Sequence, residues 1–103
     1  MDSIALLQQW YLQQCNGDWE HSWGVRIETL DNPGWKLEVN LTGTTLEGRH
    51  FTPVHYGLFE QAETSGNEWI SCKVEHNRFS AAGGPLKLDE IVTVFLRWAG
   101  LAA

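Results

Sequence analysis

Residues 30–41 read LDNPGWKLEVNL. Trp35, Leu37, Val39 and Leu41 alternate with Lys36, Glu38 and Asn40, which is the period of a strand with one buried face. Upstream, Trp23, Val25 and Ile27 alternate with Gly24, Arg26 and Glu28 in the same way. Between the two runs, Pro33 and Gly34 suit the central positions of a type II turn, so the pair reads as a hairpin.

The flanks change period. In DSIALLQQWYLQQC, residues 2–15, Ile4, Leu7 and Tyr11 form a helical stripe with Leu6 and Trp10 beside it. Asp2 or Ser3 caps its start, and Asn16-Gly17 ends it. At the other end, from Leu88 to Ala99, Ile91, Phe95 and Trp98 share a face that Val92, Val94 and Leu96 widen. Between the hairpin and this helix, TGTTLEGRH (42–50) reads as turns. Phe51–Glu63 reads as a third strand with Pro53 near its start, and Trp69–Glu75 as a fourth. Phe79 and Ala81 extend it as a short fifth before AAGGP breaks the pattern. Segregated elements of this kind predict an α+β fold: a four- to five-stranded antiparallel meander with both terminal helices on one face. Arg26, Glu28, Lys36, Glu38 and Lys73 fall on the other face, which reads as solvated.

The chain has 103 residues, one domain by length, with six tryptophans and a formal net charge of −6. That charge argues against nucleic acid and anionic membrane as partners and favours a basic protein such as a nuclease. No Lys or Arg precedes Arg26, and none lies between Arg49 and Lys73, a gap that holds Glu60, Glu63 and Glu68. The sequence shows no signal-peptide pattern and no run of spanning length, so a cytoplasmic location is expected. Cys15 and Cys72 make no disulfide framework.

Three chemical readings follow from residue type and spacing. Five residues separate Cys72 from Arg78, the spacing of an anion loop in phosphatases and sulfurtransferases. Yet Cys72 alternates with Ile70 and Val74, the loop lacks glycine, and Glu75 would repel an anion. His21, His50, His55 and His76 show no zinc spacing. Asp18, Glu20 and His21, in NGDWEHSWG (16–24), would suit acid–base hydrolysis only in a pocket that shifts their pKa values. No catalytic residue, metal or cofactor is therefore expected. Trp10, Trp23, Trp35 and Trp98 lie on apolar stripes and are assigned to the core. Trp19, between two acids after a helix stop, suits either a core plug or a partner anchor.

The string as a whole resembles the immunity protein 53 family of bacterial polymorphic toxin systems. The resemblance rests on Trp10-Tyr11, QCNGDWEH at 14–21, Gly24, Ile27, LDNPGW at 30–35 and Gly43-Thr44. It continues through Trp69, Cys72, Val74, Phe79, GGP at 83–85, Leu88, Ile91, Phe95 and Trp98. It implies a non-enzymatic protein that binds and neutralises a cognate toxin domain. Candidate contact residues are Asp18, Trp19, Glu20 and His21, with Trp23 holding their turn to the core, and the rival set Glu60, Glu63 and Glu68. A monomer or weak dimer is expected. The alternative is a small enzyme, sulfurtransferase-like through Cys72 or a hydrolase through Asp18, Glu20 and His21.

Overall fold

The computed structural model describes residues 2–57 and 68–101. Helix α1 spans Ser3–Gln14, α2 Trp19–Ser22 and α3 Leu88–Trp98. The strands are β1 Val25–Leu30, β2 Gly34–Asn40, β3 Val54–Tyr56, β4 Ile70–Glu75 and β5 Arg78–Gly83. They form one antiparallel sheet in the order β1-β2-β5-β4-β3. The α+β class is as the periodicity predicts. The strand order is not a simple meander: β5 is the central strand, between β2 and β4. The run Phe79–Ala81 reads as a minor extension because only the sheet shows that both of its neighbours bond to it.

The link from β2 to β3 passes the end of β5 and β4 and adds to the core on the way. Leu41 and Leu46 are buried, and the Thr44 hydroxyl donates to the Leu41 carbonyl at 2.7 Å. Phe51 then meets Phe79 and Trp98 edge-on at 5.4 and 5.2 Å. Among the described residues, the third strand, expected from Phe51 to Glu63, is regular over Val54–Tyr56; residues 58–63 fall outside them.

The hairpin exists, but its turn differs from expectation. Leu30 pairs with Gly34, leaving a three-residue loop, Asp31–Pro33, with a cis Asn32–Pro33 bond. Gly34 is the first residue of β2 and not a positive-φ turn residue. A Cβ on it would meet the Gly83 carbonyl oxygen at 2.4 Å, so glycine here permits the close approach of β2 and β5.

The core lies between the sheet and the helices. Leu37, Val39, Phe79, Ile91, Val92, Phe95 and Leu96 are all fully buried, and Trp35 packs half-buried against them. Helix α3 crosses β2, β4 and β5, and α1 packs on α3. The Asp2 carboxylate caps α1 by accepting from the Ala5 amide at 2.8 Å. Two apolar assignments change. On α1 the buried residues are Leu7 and Trp10, while Ile4 and Tyr11 stay exposed, because α1 meets α3 along one narrow line. Trp23 is 42% exposed and Ile27 is exposed with it, because they lead into and lie on the edge strand β1, beyond the span that α3 covers.

Leu37 sits in the middle of this layer with no exposed surface. Leu37→Ala is expected to cost about 2–5 kcal/mol in urea titration; a loss below about 1 kcal/mol would place the core elsewhere.

Candidate partner-binding surface

The turn NGDWEHS is built by reciprocal hydrogen bonds. Gly17 takes φ +90° after the end of α1. The Asn16 side-chain oxygen accepts from the amides of Asp18 and Trp19 at 3.0 and 2.9 Å and so starts α2. The Glu20 carboxylate reaches back to the Asn16 and Gly17 amides at 2.9 and 2.8 Å, the logic of a capping box. Its own amide, then those of Asn16 and Gly17, hold the Glu20 carboxyl below the usual glutamate range, and His21 adds to the effect.

Trp19 points inward from this turn. It is 5% exposed, packs edge-on to Trp10 at 6.1 Å and lies 6.0 Å from Tyr11. Its indole N–H donates to the Thr42 carbonyl at 2.9 Å. Trp19, not Trp23, ties the turn to the core. The single turn of α2 rotates residue 19 inward, which a strand running through residue 23 would not do. Of the four residues singled out in this turn, Asp18 and His21 are exposed, Glu20 is half-buried and engaged with backbone, and Trp19 is core.

The acidic gap is a separate region. Glu60 and Glu63 lie outside the described residues. Glu68 is exposed and pairs with Lys87 at 3.0 Å. Lys87 also meets Glu90 at 3.6 Å and lies 5.5 Å over the Tyr56 ring. The Tyr56 hydroxyl donates to Glu90 at 2.5 Å. Glu68 and then Tyr56 raise the Lys87 pKa, and the Glu90 hydrogen bond raises that of Tyr56. This network fastens the residue before Trp69 and the edge strand β3 to the start of α3.

Cys72 pairs with Ala81 and Val54 on the buried face of β4. Burial, with a contribution from Glu90, pushes its thiol up to about 12, far from a reactive thiolate. Arg78 lies on the opposite face and contacts Glu38 at 3.3 Å. Between them, His76 and Asn77 form a tight turn at φ 54° and 56°. No single anion can touch both the Cys72 sulfur and the Arg78 guanidinium. Among the described residues, no three His, Cys, Asp or Glu side chains gather as metal ligands, and no helix is long and apolar enough to cross a membrane.

The open sheet face carries charge in rows. Register places Arg26, Glu38, Ser80 and Lys73 in one row, and Glu28, Lys36, Ala82, Ser71 and His55 in the next. A shallow polar hollow between Arg26, Glu38, Asn40 and Arg78 interrupts this surface. Strand alternation predicts the first two strands of this face. Asn40 follows from the same alternation, and Arg78 joins it only once β5 is known to lie beside β2.

The family model for immunity protein 53 matches residues 4–100. No curated protein and no solved structure matches the chain.

The two sets of contacts give two expected outcomes. Glu20→Gln is expected to lower the melting temperature at neutral pH. A carboxyl with a depressed native pKa stabilises above its unfolded pKa, and that stability is lost as pH falls through the native value. The deficit of Glu20→Gln should therefore shrink under acid conditions; a deficit independent of pH would remove the carboxylate from the account. In the native protein, iodoacetamide should label the half-exposed Cys15 and spare Cys72. Labelling of Cys72 as fast as Cys15 would contradict its burial.

Proposed function

The chain belongs to the immunity protein 53 family, and on that premise we propose that it binds and neutralises a cognate toxin domain one-to-one, without catalysis. The observation that carries this reading is the extent of the family match, nearly the whole chain. The net charge of −6 favours a basic toxin domain, a nuclease among them, through faster association. The cytoplasm of the toxin-producing cell is the expected place of action.

Residues that carry the family resemblance mostly build the scaffold: Trp10, Trp19, Phe79 and Phe95 are buried, and Trp35 and Trp98 are half-buried. Discrimination between toxins then belongs to exposed positions. Asp18 and His21 are the contact residues we assign on the turn, with Trp19 and Glu20 holding them in place. Glu60, Glu63 and Glu68 are the rival surface. Exposed Trp23, two residues after His21, supplies an aromatic of the type that dominates interface energetics.

Co-expression with the toxin domain encoded beside its gene tests this. The wild-type chain should restore growth and co-purify with the toxin domain. Asp18→Asn with His21→Ala should leave melting unchanged and weaken binding by about 2 kcal/mol or more. Full protection by that pair, with loss in a Glu60, Glu63 and Glu68 to Gln triple variant, would move recognition to the acidic stretch. No protection by the wild type would end the immunity reading.

A further inference from the structure

β1 is a free edge. It is the end strand of the sheet order and bonds only to β2 among the described residues. Its pairing with β2 runs without a bulge over six residues, and Pro33 lies beyond its end. The opposite edge, β3, has only three residues. Long regular edges are usually blunted, since their unpaired N–H and C=O groups bind other strands. Here the blunting consists of two charges of opposite sign, Arg26 and Glu28, around an exposed Ile27.

These three residues are self-complementary. We propose that two copies of the chain pair antiparallel along β1, with Ile27 opposite Ile27 of the second copy on the twofold axis. Arg26 then faces Glu28 of the second copy on the open sheet face, and Glu28 faces Arg26. On the helix side the seam runs Val25, Ile27, Ile27, Val25, each end opposite a threonine, Thr29. Strand pairs directly opposite interact in this way, and like charges repel.

Register selects this arrangement among its neighbours. With the helices of both copies on the same side, the axis passes through a residue. Centring on Arg26 sets Arg26 against Arg26, and centring on Glu28 sets Glu28 against Glu28. Helices on opposite sides are excluded, because antiparallel pairing through the same edge leaves both helix layers on one side of the sheet. Only centring on Ile27 matches charge with charge and apolar with apolar. The continuous sheet would then have ten strands, with charged rows running through both copies. Two six-residue strand flanks bury far less than the roughly 1,200–2,000 Å² of a stable interface. The dimer is therefore weak and reversible.

Analytical ultracentrifugation of the full chain up to about 1 mM, the weak end of measurable association, tests the pairing. The wild type should show a concentration-dependent monomer–dimer equilibrium. Arg26→Glu alone sets Glu against Glu28 of its own copy-mate, and Glu28→Arg alone sets Arg against Arg26. Each should raise the dissociation constant about tenfold. An equimolar mixture of the two variants restores both opposite-charge pairs and should bring association back to the wild-type range. Each variant also loses an opposite-charge pair to β2, with Glu38 or Lys36, so circular dichroism must show it folded. If either unfolds, Ile27→Lys decides, because it sets Lys against Lys on the axis and leaves the β1–β2 charges intact. A wild type that stays monomeric to about 1 mM overturns the proposal. So does a mixture no more associated than its parts, or an Ile27→Lys variant that dimerises like the wild type.

Discussion

The contact between Phe79 and Phe95, ring centroids 5.2 Å apart, joins the central strand to the helix that covers it. Other aromatic contacts extend from this one. Phe79 meets Phe51 at 5.4 Å, which brings in the long link from β2 to β3. Phe95 meets Trp10 at 5.0 Å, and Trp10 meets Trp19 at 6.1 Å, so α1 and the turn after it hang on the same chain. The contacts are edge-on, the geometry that sets the positive rim of one ring on the negative face of the next. A small domain with a modest core gains from residues that bury large areas each. That explains six tryptophans in 103 residues without giving each one a function.

Three tryptophans do a second task. The indole N–H of Trp19 donates to the Thr42 carbonyl, that of Trp35 to Pro85 and that of Trp98 to His50, at 2.9, 3.0 and 2.8 Å. Each acceptor lies in an irregular segment. The apolar body of the ring stays in or beside the core while its one polar atom pins a loop. In an inhibitor this matters for recognition, because loops held in place lose less entropy when a partner binds. The same argument makes the NGDWEHS turn a rigid mount: its backbone amides and the Glu20 carboxylate satisfy each other, and Asp18 and His21 project from it.

What could be read from the chain depended on range. The alternation around Trp35–Leu41 and the helical spacing around Ile91–Trp98 are local, and both elements formed as their periods required. The place of β5 at the sheet centre is a long-range fact, set by its pairing with both Lys36–Val39 and Ser71–Val74. No local pattern contains it. Trp23 is exposed where the core was expected, and Trp19, open between core plug and partner anchor, is core, for a related reason. Period-two reading carried the strand back to residue 23, whereas Asn16 and Glu20 wind residues 19–22 into a helical turn. The Asn-x-x-x-Glu spacing was the available signal. The candidate contacts were legible as a cluster of charge. Which of them are spent on the fold followed only from the hydrogen bonds.

Under the proposed function, this protein is a stoichiometric inhibitor in which the residues that carry the family resemblance form a scaffold and exposed residues choose the toxin. The direct measurement is a titration of the neighbouring toxin domain's activity in vitro with the purified protein, at concentrations well above their dissociation constant. Inhibition by one-to-one binding predicts activity falling linearly to its floor at one equivalent. Complete loss of toxin activity at a small fraction of an equivalent would mean turnover, and no loss at several equivalents would mean that this toxin is not its partner.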